Sequence, residues 1–99
     1  MDKDELIQQL ELLIKEIDNL GNWSTAQGYN LERILKKWLC LKDESPKWAE
    51  NINIYEFNEL LDNVALSKRQ GPDKYITNSY NRAKETLVVF ITEQITALD

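Results

Sequence analysis

Glu56, Glu59 and Asp62 are the residues whose type and spacing come closest to suggesting catalysis. Intervals of three set their carboxylates along one side of a helix, and Glu11 or Glu16 from another helix could face them. Carboxylates so arranged hold Mg²⁺, a hard cation that takes one or two of them together with the phosphates of a substrate. A simpler reading competes, that of a solvated helix face. All three acids lie off the apolar stripe of their segment, and no second acidic pair is spaced to complete a metal site. Composition removes most other chemistry. The chain has no histidine, which excludes Ser-His and Cys-His nucleophile pairs, His-ligated zinc and the usual near-neutral proton shuttle. The single cysteine, Cys40, excludes an internal disulfide and any multi-cysteine metal site. Lys36, Lys37 and Lys42 are near it in sequence, but a thiolate nucleophile also needs a base. Cys40 is therefore expected to be a buried or half-buried structural thiol. No cofactor is expected.

A second group combines aromatic rings with acids. Trp48, Glu50, Tyr55, Glu56, Glu59 and Asp62 are candidate partner-binding residues, and no basic residue falls between Glu50 and Leu66. Aromatic side chains concentrate at the centres of protein interfaces, and a field of one sign steers the encounter with a partner of the other. Trp38 lies on an apolar stripe and reads as core. Trp23 and Trp48 lie in connections beside helix caps, where each reads first as a staple that folds its loop onto the body, and otherwise as an exposed aromatic. Basic residues cluster elsewhere: Arg33, Lys36, Lys37, Lys42 and Lys47 in one zone, and Lys68, Arg69, Lys74, Arg82 and Lys84 in another. Lys36 and Lys37 with Tyr75, Tyr80 and Arg82 could join charge to stacking on a nucleic acid. The whole chain opposes that: 12 Lys+Arg against 17 Asp+Glu leave a formal charge of -5, and nucleic-acid affinity comes largely from neutralising phosphates.

The elements that must position these residues are helices. Leu6, Leu10, Leu13, Ile17 and Leu20 recur at steps of four and three, with Ile7 and Ile14 widening the stripe, and predict a helix over 4–20. Asp2 with Glu5 resembles a capping box, and Gly21 is the expected left-handed stop. Leu31, Ile34, Leu35, Trp38 and Leu39 predict a helix over 31–41. Its start is open, because Ser24 and Asn30 both read as caps and Gly28 weakens any helix that begins at the first by about 1 kcal/mol. Ser45-Pro46 predicts a single turn over 46–50. Ile54, Phe57, Leu60, Leu61 and Val64 give a further helix, capped at Asn53 and fading by Lys68-Arg69-Gln70. Gly71-Pro72-Asp73 is the strongest break. The final segment carries a helical stripe of Ile76, Tyr80, Ala83, Leu87 and Phe90/Ile91. Thr86 to Thr92 is β-branched and aromatic enough for a strand, but no other segment alternates with period two to pair with it. Helix is expected to the end, and this helix is expected to be the most buried.

The expected fold is all-α: a compact antiparallel four-helix bundle with a short extra helical turn near Pro46, in one domain spanning 1–99. Hydrophobic residues at 42% and charged residues at 29% suit a globular chain. The longest apolar run, Leu87 to Ile91, is far short of the ~20 residues that cross a bilayer, so no membrane partner is expected. No secretory signal is legible, and with one unpaired cysteine the expected compartment is the cytoplasm.

In size, charge and composition the chain resembles bacterial immunity proteins, including helical ones that neutralise contact-dependent or bacteriocin toxins. The resemblance is one of class, and no residue roles are carried over. It implies a non-enzymatic binding protein whose acids mimic phosphate and whose partner is a basic protein such as a nuclease-type toxin. Two alternatives stand beside it. One is a carboxylate-Mg²⁺ enzyme on a helical scaffold, like the all-α nucleotide pyrophosphatases with their Glu-x-x-Glu pairs. The other is a self-associating helical protein whose first-helix heptad serves as a homodimer seam.

Overall fold

The Asp2 carboxylate accepts the backbone N–H of Glu5 and starts α1, which runs Lys3–Asp18 in a computed structural model describing residues 1–70 and 74–99. Its leucine stripe faces inward: Leu6, Leu10, Leu13 and Ile17 are all buried. The helix ends at Asp18 rather than Leu20. Leu20 still packs into the core from the turn that follows, and Gly21 takes the left-handed φ of 70° that reverses the chain. Because the stripe is spent inside this chain, it is not free to act as a coiled-coil seam.

The open start of the second helix is settled at Ser24, whose hydroxyl accepts the Gln27 N–H; α2 runs Thr25–Lys42. Gly28 is inside the helix for a tertiary reason. A Cβ there would lie 2.0 Å from the carbonyl oxygen of Ser67, so only glycine lets the two backbones approach this closely. The short α3, Pro46–Ala49, begins on Pro46 as expected, but Ser45 makes no side-chain capping bond. Its hydroxyl instead accepts the side-chain N–H of Gln94, 3.1 Å away. Asn53 caps α4, Ile54–Ser67, by accepting the N–H groups of Tyr55 and Glu56. Helix α5 runs unbroken over Lys74–Leu98. The β-branched stretch is helical because Leu87, Phe90 and Ile91 bury on a helical period, and that burial outweighs local strand preference. The expected break at Gly71-Pro72-Asp73 lies outside the described residues.

Side-chain bonds fix the directions of the helices. The carbonyl of Gly21, just past α1, receives the Tyr80 hydroxyl from the early part of α5, so these two helices are antiparallel. The start of α2 at Gly28 meets the end of α4 at Ser67, which are antiparallel too. Leu41 at the end of α2 meets Gln94 near the end of α5, so these run the same way. With α1 against α2 and α5, and α4 against α2 and α5, the long helices form an up-down-up-down bundle in which α2 and α5 are diagonal. Among the described residues there is no strand. Trp38, 0% exposed, is a hub of the core. It stacks on Phe90 at 5.7 Å, meets the edge of Trp48 at 6.1 Å and tilts against Phe57 at 6.2 Å.

Candidate functional site

Antiparallel α4 and α5 present their charged side chains to one another along their outer seam. Arg82 Nε lies 2.6 Å from Glu59 Oε1. One turn further along, Glu56, in the first turn of α4, and Glu85 of α5 line the same cleft. These side chains wall an open cleft of about 350 Å³, with Thr86, Val89 and Phe90 completing its lining. Three carboxylates thus share the cleft with one guanidinium, and that guanidinium is already bound to Glu59. The position of Glu56 is natural for an acid, because the exposed N–H groups of a helix start favour negative charge. Val89 is 51% exposed.

The six candidate residues of the sequence are divided among several places. Glu56 and Glu59 share the cleft. Tyr55 is beside it with its ring 83% exposed, and Asp62 is exposed outside it. Glu50, just after α3, lines a separate hollow with Lys42, Ile52, Ile54 and Phe57. Trp48 is half-buried on Trp38, and its outer side lines a third groove with Pro46, Ala97 and Leu98. It is a staple. So is Trp23, which is half-buried and donates its indole N–H to the Ser67 carbonyl at 2.9 Å. The sequence missed Glu85 and Val89, and placed Arg82 in a basic zone and in the nucleic-acid reading rather than beside Glu59. The signal for them was the antiparallel alignment of α4 with α5, which brings Arg82 to Glu59 and Glu85 into the cleft that Glu56 lines.

Cys40 is a correction. It is exposed, not buried, because α2 turns Trp38 and Leu41 inward and Cys40 falls off that face. The basic residues of α2 are largely engaged. Lys37 pairs with Glu16 at 3.1 Å, and Lys36 and Lys68 both approach Glu32. The hydrogen bond from Lys68, reinforced by the charges of both lysines, holds the Glu32 carboxyl below the usual glutamate range. Tyr80 is fully buried, and burial raises its phenol above the usual value. Its ring is therefore unavailable for stacking on a base.

Among the described residues, no group of three or more His, Cys, Asp or Glu is placed to hold a metal ion. Glu56 and Glu59 share their cleft with Glu85, but Arg82 is bonded to Glu59 and Asp62 lies outside the lining. No helix among the described residues is long and apolar enough to cross a membrane. Compared with known proteins, the chain matches no family model, no curated protein and no solved structure.

Proposed function

We propose that this chain is a small acidic binding protein that neutralises a basic protein partner, in the manner of a bacterial immunity protein acting in the cytoplasm against a nuclease-type toxin. The observation that carries the reading is the α4–α5 cleft, lined by Glu56 and Glu85, which have no cation partner among the described residues. Two carboxylates on one cleft make a field of one sign there. A partner's arginine or lysine entering the cleft gains charge-assisted hydrogen bonds to them. The net charge of -5 adds long-range attraction toward a basic surface.

The test is co-purification of the tagged protein with the products of its chromosomal neighbours at low and moderate salt. The expected result is a stoichiometric complex with one basic protein, weakened by Glu56→Lys and by rising ionic strength. Retention of none of these products at low salt would overturn the reading.

A further inference from the structure

We propose that the partner is held on the outer face of α5, by a segment that places an arginine or lysine in the α4–α5 cleft and an aliphatic side chain in the neighbouring α1–α5 groove. This rests on the acidic-binding reading and adds to it the place and the shape of the contact. The second concavity, of about 450 Å³, is lined by Ile17, Asp18, Lys84, Glu85, Val88 and Val89. Glu85 and Val89 belong to both concavities. The two are therefore adjoining parts of one surface, one acidic and one mainly aliphatic, with a single helix between them.

Pairing decides the sign of the occupant. The charged groups around the two concavities are Asp18, Glu56, Glu59, Arg82, Lys84 and Glu85. Arg82 is bonded to Glu59. Lys84 donates to the Gly21 carbonyl at 3.2 Å and lies 4.8 Å above the Tyr80 ring, drawn toward the end of α1. Both cations are engaged within the fold, and the groups left over, Asp18, Glu56 and Glu85, are all carboxylates. The aliphatic part offers apolar surface to a partner, since Val89 stands 51% exposed beside the half-buried Val88. On α5, Arg82, Glu85, Thr86 and Val89 follow one another at helical intervals, a ridge about 10 Å long. A cationic side chain on one flank of this ridge and an aliphatic one on the other satisfy both. A purely basic segment leaves Val89 uncovered, and a purely apolar one buries Glu85 without a partner. The contact is thereby centred on α5, and Trp48, Glu50 and Asp62 lie outside it.

The test uses the full chain, ¹⁵N-labelled, titrated with a helical peptide of about 15 residues, roughly four turns, carrying arginines on one flank and leucines on the other. The same residues in scrambled order and an oligo-arginine of equal charge serve as comparison probes. The expected result is saturable shifts at Glu56, Arg82, Glu85, Val88 and Val89 with the ordered peptide, and at least about tenfold weaker binding of either comparison probe. Glu85→Lys and Val89→Asp, both at solvent-facing positions, should each weaken binding about tenfold. Leu12→Ser, on the outer face of α1, should leave it unchanged. Shifts centred elsewhere on the acidic surface, or equal binding of the ordered and scrambled peptides, would overturn the α5 assignment and leave the acidic-binding reading standing. Failure of all three cationic probes to bind anywhere would overturn both.

Discussion

The indole N–H of Trp38 donates to the side-chain oxygen of Gln94 across 2.9 Å, with both side chains wholly closed off from solvent. The amide nitrogen of Gln94 donates in turn to the Leu41 carbonyl and the Ser45 hydroxyl, each at 3.1 Å. One glutamine thus ties α5 to the last turn of α2 and to the start of α3. Among the described residues no buried side-chain nitrogen or oxygen lacks a partner. The network is complete, so it fixes how far α5 slides along α2 and how the staple carrying Trp48 is seated.

Replacing Gln94 with leucine leaves the Trp38 N–H without its acceptor and the buried Ser45 hydroxyl without its donor, while the Leu41 carbonyl keeps a backbone N–H from Glu44. The expected loss is about 1–3 kcal/mol, read as a lower urea midpoint with an unchanged slope. A variant as stable as the wild type would mean that water enters to replace the amide.

Gly28→Ala sets two effects against each other. Alanine gains about 1 kcal/mol of helix preference over glycine. Its Cβ, however, meets the Ser67 carbonyl at 2.0 Å, where the obstacle is backbone and cannot swing aside. Separating α2 from α4 costs about 1–3 kcal/mol or more, so net destabilisation is expected. Thermal unfolding checks it, and a raised midpoint would contradict the close crossing.

Glu32 supplies the pH prediction. Its carboxyl is held below the usual range chiefly by the hydrogen bond from Lys68. The stabilisation is therefore fully present above the ordinary glutamate value and lost as pH falls through the lowered one. Wild type should exceed Glu32→Gln in stability by a constant margin near neutrality, and the margin should close below about pH 4. Urea midpoints measured across that range give the comparison.

Glu85→Lys should separate stability from binding. It replaces a like charge on the cleft that Glu56 lines with a cation, so the isolated protein should gain at most a few tenths of a kcal/mol, the scale of an exposed pair. The same change fills the cleft with a charge of the wrong sign and should weaken capture of a basic partner about tenfold. Coupled gain of stability and loss of binding is the mark of a site kept unsatisfied for its ligand.

The helices were legible in the sequence because each announces itself locally. Asp2, Ser24 and Asn53 cap as their spacing suggests, and Leu6 to Ile17 declares its face by period. What stayed hidden depends on neighbours distant in the chain. Gly28 reads as a weak point until Ser67 is set against it. Gln94 continues the stripe of Leu87 and Ile91, yet its polarity disguises a core residue whose partners are on α2 and before α3. The aromatic-acid group misled for the same reason. Trp48 and Glu56 are close in sequence, but α3 turns the first toward Trp38 while α4 carries the second to the seam with α5. Glu85 could be found only by aligning α4 with α5 across a turn whose geometry the sequence leaves open.

Cys40 is the chain's only thiol, and it faces outward from α2, diagonally across the bundle from α5. A maleimide fluorophore attached there labels one defined point without altering any other residue, on the side remote from the ridge of Glu85 and Val89. Its anisotropy reports the slower tumbling of a complex while leaving that ridge clear. In air the same thiol can join two copies back to back through a disulfide, yielding a bivalent species whose two α5 faces point in opposite directions.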